Sequence, residues 1–149
     1  MVKIKNLQRK IKLKSAIIKN IAAQILEMEG LEDSELSLVL VSDKQIAAIN
    51  RDYLKVQGPT DVIAFRMADG QYKQLNTYLL GDVIISVETA QAQADKLGRG
   101  IGRELCLYLV HGILHLNGYD DQEKGNKKKM FARQRKIMKN IPRKYIEGI

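Results

Sequence analysis

The sequence predicts a single-domain α/β fold over residues 1–149, with helices packed around a small sheet. Its 149 residues suffice for one domain to bury a core without metal or disulfide staples. A composition of 45% hydrophobic and 28% charged residues is that of a folded chain rather than a disordered one. Short β-rich runs alternate with segments of helical period, and no repeat, linker or low-complexity stretch interrupts them.

Val2, Ile4 and Leu7 alternate with polar residues and give a weak first strand. Ile17, Ile18, Ile21, Ala22, Ile25 and Leu26 then form one helical stripe, with Ser15 as the expected N-cap and Gly30 as the stop. Glu35–Val41 is short and β-rich, a second strand. Ser42-Asp43 opens a helix expected to reach Tyr53, and Gln57-Gly58-Pro59 is a turn. A strand over Val62–Met67 follows, then a turn at Asp69-Gly70 and an irregular polar stretch over 70–78. Asp82–Val87 reads as a buried strand, Glu88–Leu97 as a helix ending at Gly98, and Arg103–Leu116 as an apolar helix broken by Gly118. A last amphipathic helix runs from about Gln122 to Met138 and stops before Pro142.

Cys106 is the only cysteine, so a disulfide scaffold is excluded and a reducing compartment is expected. The basic N-terminus is followed by no apolar core of a signal peptide, and the densest apolar runs, Leu38–Val41 and Leu105–Val110, are too short to cross a bilayer. A cytoplasmic protein with no membrane partner is the expectation.

The formal charge of +8 is unevenly placed. Residues 1–19 carry seven basic residues and no acid, and residues 122–149 carry ten against Glu123 and Glu147. Residues 20–121 hold eight basic and fifteen acidic residues, so two basic ends flank an acidic middle. Basic ends fit a polyanion such as nucleic-acid phosphate, but taken alone they are more simply read as a pair of solvated faces. The 5% aromatic content argues against a broad base-stacking platform.

The chain's two histidines, His111 and His115, are four residues apart on an apolar helix, so both imidazoles share one face. The pattern extends to His-x3-His-x2-Gly-x2-Asp through Gly118 and Asp121. Glycine can leave the helix with positive φ and turn the chain back, bringing a side chain three residues on toward the pair. Two nitrogens and one carboxylate leave a fourth position open, the arrangement of a catalytic rather than a closed structural zinc site. One divalent ion, expected to be zinc, is therefore assigned to His111, His115 and Asp121. Cys106 lies about 140° around the helix from His111 and belongs to the core. The spacing is also that of metzincin proteases, but those need glutamate directly after the first histidine, and Gly112 stands there.

The string His111-Gly-Ile-Leu-His115-Leu-Asn-Gly118-Tyr119-Asp120 closely resembles the signature of the YbeY-type family of bacterial endoribonucleases, His-Gly-x-Leu-His-Leu-x-Gly-Tyr-Asp-His. Pro59–Phe65 is similar to that family's PTDVLSF, Leu80–Ser86 to its LGDIxIS, and Arg103-Glu104 also fits. The resemblance runs from about Asn50 to Met138. It implies a small mixed, mostly parallel sheet with a zincin-like metal-binding helix, and a metal-dependent endoribonuclease in ribosomal RNA maturation and ribosome quality control. Partners implied are ribosomal RNA and either ribosomal proteins or a ribosome-associated GTPase. The oligomeric state stays open.

Two departures stand out. The family's third ligand is histidine where this chain has Asp121, an anion that leaves less positive charge on the ion and favours harder metals. Asp120 is the rival donor. The family's arginine after Asn-x-x-Tyr is replaced by Leu54, with Lys55 or Arg51 as the nearest cations.

We assign Asp82 as an accessory catalytic carboxylate. Asp61 could orient a ligand histidine or simply cap its turn. Glu104 is expected to be a structural partner of a basic side chain. Lys55, Lys127, Lys128 and Arg133 are the expected RNA contacts, and Lys129, Arg135 and Lys136 share their charged run. The competing reading is a non-catalytic RNA- or ribosome-binding protein with a structural metal; a hydrolase of small phosphorylated or amide substrates is a third.

Overall fold

The computed structural model describes residues 1–67 and 78–149. The expected turn at Asp69-Gly70 and nearly all of the irregular stretch lie outside the described residues. The element order is β1 (Val2–Asn6), α1 (Ser15–Met28), β2 (Glu35–Val41), α2 (Asp43–Ile49), a π-helical turn (Asn50–Leu54), β3 (Val62–Arg66), β4 (Leu79–Ser86), α3 (Val87–Lys96), α4 (Ile101–Leu116), α5 (Lys124–Asn140) and α6 (Arg143–Glu147). The sheet order is β1-β2-β4-β3. β1, β2 and β4 run parallel and β3 is antiparallel to β4, the mixed, mostly parallel sheet expected above.

Strand alternation divides the sheet into two faces. Leu36, Leu38 and Leu40 of β2 and Val83 and Ile85 of β4 join Ile21, Ile25, Leu109 and Ile113 in the main core, beneath α1 and α4. Val41, Ile63 and Ile84 pack with Ile46 of α2 on the other face. Each of the fully buried Leu and Ile side chains contributes about 1.5–3 kcal/mol by leaving water, so the α1/α4 face dominates the stability.

Local chemistry explains most element ends. Ser42 caps α2 by accepting from the Gln45 amide at 3.2 Å, while the Gln45 side chain accepts from the Ser42 amide at 2.8 Å, a reciprocal capping box. α1 stops at Gly30 as expected, with Leu31 N donating to Leu26 O at 2.8 Å. Ser15 is not the cap of α1: it is the first helical residue, and Lys14 stands at the N-cap without a side-chain bond. The second helix ends at Ile49 and the path to Leu54 continues as the wider π turn. β4 begins at Leu79, three residues before the expected start, and α6 was not foreseen.

Buried polar residues are paired. Glu104, 2% exposed, accepts from Arg99 Nε at 2.7 Å, which is the structural role expected of it. Burial pushes the Cys106 thiol up to about 12, so its nucleophilic thiolate is scarce and shielded. We expect a thiol-disulfide reagent at pH 8 to label Cys106 only after denaturant unfolds the chain; rapid labelling of native protein would contradict its core position.

Candidate metal centre

α4 carries His111 and His115 one turn apart, and the end of the helix delivers their third partner. Gly118 adopts φ +93°, a conformation that strains any side-chain-bearing residue. There Gly118 N donates to His115 O at 3.0 Å and Tyr119 N to Leu114 O at 3.0 Å, a Schellman closure that folds the chain back over the last turn. The fold-back places Asp121 Oδ2 at 3.7 Å from both His111 Nε2 and His115 Nε2. Asp120, the rival donor, accepts instead from Gln122 N at 2.9 Å and caps the turn.

The two Nε2 atoms are 3.0 Å apart. His115 Nδ1 faces the Tyr119 carbonyl oxygen at 3.1 Å, and His111 Nδ1 faces Gln134 Oε1 at 3.1 Å. Both oxygens accept, so a proton on each Nδ1 satisfies these contacts and leaves each Nε2 turned toward the other, available to a shared cation. Two lone pairs and a carboxylate pointed at one space need a cation or a shared proton between them. Donors around a tetrahedral zinc-like ion lie about 3.3 Å apart, close to the 3.0 and 3.7 Å observed here. The donor set therefore fits one divalent ion, with His111, His115 and Asp121 as its protein ligands. Burial, and then the neighbouring His115, lower the His111 pKa; Gln134, Asp121 and Asp61 partly offset this. The neutral, ligating form is thus favoured.

Gln134 sits on α5 in a helix dominated by lysines, and nothing in the sequence distinguishes it. By fixing the His111 ring, it acts as partners of metal-bound histidines do. We expect Gln134→Ala to weaken metal affinity by about 10- to 100-fold while leaving the thermal midpoint near wild type; unchanged affinity in a metal-competition titration would remove this role.

The histidines open onto a cleft of about 720 Å³, lined also by Asn50, Leu54, Asp61, Arg66 and Asp120. Asn50, 4% exposed, donates to Gly58 O at 3.0 Å and so ties down the loop that brings Leu54 and Val56 to the cleft. Gly112 faces the sheet, where a Cβ would stand 2.7 Å from Val83 Cγ1. The position at which metzincins carry glutamate has no room for one here.

The structure redistributes the other expected site residues. Asp82 does not reach the histidines: it pairs across the ladder with Phe65 and Ser37, on the sheet face opposite that on which Val83 meets α4. Of the two, Asp61 is the one that lines the cleft; it accepts from Val62 N at 2.7 Å and also acts electrostatically on His111, so capping and site influence coexist. Arg133 is corrected as an RNA contact, because its Nε donates to the buried Glu29 at 2.5 Å and its Nη2 to Met28 O at 2.9 Å, pinning α5 to the end of α1. Lys127 is exposed, with its ammonium 5.7 Å from the Phe131 ring centre, and Phe131 lies 6.5 Å from the His111 ring. Lys128 is exposed on the same helix. Lys55, at φ +55°, donates to Asp52 O at 3.1 Å beside the cleft-lining Leu54. Arg66 was missed in the sequence, where nothing marks a strand-end arginine as facing a helix fifty residues away.

The family model described as Endoribonuclease YbeY matches residues 3–142. An "Endoribonuclease YbeY" of Geobacter metallireducens is 41% identical over 144 residues, covering 95% of this chain and 96% of the relative. One from Desulfitobacterium hafniense is 44% identical over 115 residues, covering 74% and 73%. The solution structure of TM1509 from Thermotoga maritima superposes with a TM-score of 0.65 at 27% identity, covering 93% of this chain and 87% of that one. By fold and by near full-length identity, this chain belongs to the endoribonuclease YbeY family.

Proposed function

We propose that this protein is a metal-dependent endoribonuclease that hydrolyses phosphodiester bonds of ribosomal RNA during its maturation and in ribosome quality control. The observation that carries the reading is the convergence of two imidazole lone pairs and one carboxylate on a single point in an open cleft. Family membership supports the endoribonuclease activity.

A bound divalent ion, zinc in our reading, supplies Lewis acidity for a phosphoryl oxygen and for the attacking water. The chain's own residues prepare the site for it. Tyr119 O and Gln134 hold both histidines in the tautomer that leaves Nε2 unprotonated. Asp121 adds a negative charge at the same point, and Asp61 lends a second nearby. Hydrolysis adds water to phosphorus, breaks one P–O bond and passes the water's proton to the leaving oxygen. The exposed Lys127, over the Phe131 ring that neighbours His111, suits an RNA backbone, as does Lys128, exposed on the same helix. A cytoplasmic setting, with ribosomal proteins or a ribosome-associated GTPase as partners, accords with this role. Among the described residues, no helix is long and apolar enough to cross a membrane.

One observation favours RNA binding without cleavage: Leu54 puts an aliphatic group in the cleft where the resemblance leads one to expect arginine. A cleavage assay on ribosomal RNA, with wild type and Asp121→Ala purified identically, decides. Cutting by wild type that Asp121→Ala lacks supports the nuclease; salt-sensitive binding with no cutting by either supports the alternative.

A further inference from the structure

Glu29 stands where the local physics of a helix disfavours it. It is the C-cap of α1, at the negative end of the helix dipole, and its side chain is 3% exposed. A buried carboxylate in that place costs stability unless donors surround it. Two do, and they come from the two helices that build the metal centre. Arg133 of α5 donates from Nε to Glu29 Oε1 at 2.5 Å, and Asn117, the C-cap of α4, donates from Nδ2 to Glu29 Oε2 at 3.0 Å.

Both donors adjoin residues of the centre. Asn117 directly precedes Gly118, whose positive φ turns the chain back and brings Asp121 to the histidines. Arg133 directly precedes Gln134, whose Oε1 meets His111 Nδ1 at 3.1 Å. Arg133 Nη2 also donates at 2.9 Å to the carbonyl oxygen of Met28, the last residue of α1, so the arginine is fixed at two points. Successive helical residues point about 100° apart, so clamping Arg133 against α1 sets the rotation of α5 and with it the direction of Gln134. A tie between α1 and α5 alone would need one carboxylate oxygen. The second oxygen goes to the turn that supplies a ligand.

We propose that Glu29 is a positioning residue of the metal centre. Through Asn117 it holds the turn that delivers Asp121, and through Arg133 it sets the side of α5 from which Gln134 reaches His111. The inference rests on the metal-dependent reading above. It makes the geometry of the ligands depend on the far end of α1, 88 residues before Asn117 in the chain.

The test titrates Zn²⁺ by metal competition into wild type, Glu29→Gln, Asn117→Ala and Ser42→Ala, and records the visible spectrum of each with Co²⁺ in its place. The thermal midpoint of each metal-free protein is measured alongside. Glu29→Gln keeps the side-chain shape but leaves one oxygen for two donors. It should bind Zn²⁺ about tenfold more weakly and show altered Co²⁺ bands. Asn117→Ala removes one of the two ties without changing charge, and should bind about threefold more weakly. Ser42→Ala removes the cap of α2 on the opposite face of the sheet, so it should lower the midpoint and leave affinity and bands unchanged. Wild-type affinity in Glu29→Gln overturns the proposal, however far its midpoint falls. Should Glu29→Gln fail to fold, wild-type affinity in Asn117→Ala overturns it instead. Loss of affinity in Ser42→Ala in step with its midpoint also overturns it, because affinity would then only follow stability. A wild type that binds neither ion removes the metal-dependent reading itself and the proposal with it, an outcome distinct from a wild type and variants that bind equally well.

Discussion

Replacing His111 or His115 with alanine is expected to strip the divalent ion from the protein and abolish RNA cleavage with it. Wild type should purify with about one equivalent of metal, as expected of a three-ligand site with an open position. Partners that merely orient metal-bound histidines are worth about 10- to 100-fold in affinity, so loss of a ligand should cost more than about 100-fold. The fold should survive, because both histidine side chains are only partly buried, at 23% and 30% exposure, and lie at the cleft wall rather than in the core. Elemental analysis and a cleavage assay on the same preparations provide the check. Full metal retention in the double variant would refute the ligand assignment. The ion should also leave as the pH falls, since protons compete for the same Nε2 lone pairs. The lowered His111 pKa moves its part of that competition to more acid conditions than an ordinary histidine would show.

Gly81→Ala should be the most destabilising small substitution in the sheet. Gly81 adopts φ +148°, in a region that residues with a Cβ rarely enter. A Cβ there would overlap the Phe65 carbonyl oxygen of β3 and stand 2.9 Å from Leu116 Cδ2 of α4. Backbone strain and overpacking each cost about 1–3 kcal/mol, and the Phe65 oxygen cannot rotate away, since it is backbone. A total near 3 kcal/mol is a large share of the 5–15 kcal/mol typical of a folded domain. For a chain of this size it lowers the thermal midpoint by roughly 6–12 °C. Calorimetry tests it, and a shift within a degree or two would show that β3 and α4 do not meet as tightly as described. Because β3 ends in Arg66 and α4 in Leu116, the same substitution should loosen the cleft as well as the sheet.

Features set by short-range spacing are legible in the sequence. The histidine pair lies one turn apart on a single helix, so its spacing alone placed both rings on one face. The route to Asp121 needs only a glycine three residues earlier, and spacing favours Asp121 over Asp120, whose carboxylate instead accepts from Gln122 N. Glu104 likewise found a partner only five residues away in Arg99.

The misreadings share one cause. Asp82 and Asp61 look alike as acids at strand starts. Which one lines the cleft depends on which face of the sheet α4 covers, and a single residue of strand phase reverses the answer. Arg133 belongs to a run of cations that reads as a nucleic-acid surface, until folding brings it against Glu29, a buried acid 104 residues away in the chain. Gln134 and Arg66 carry no local mark at all, because their roles arise from a ring on α4 and a carbonyl at its end. Helical period, glycine stops and ligand spacing operate over a few residues, and they were enough for the α/β class and for a candidate set of metal ligands, while the mostly parallel sheet was implied by the family resemblance. The assignment of the remaining charges to core, cleft or solvent belongs to long-range packing, because a charge becomes structural or functional only according to what the fold buries beside it.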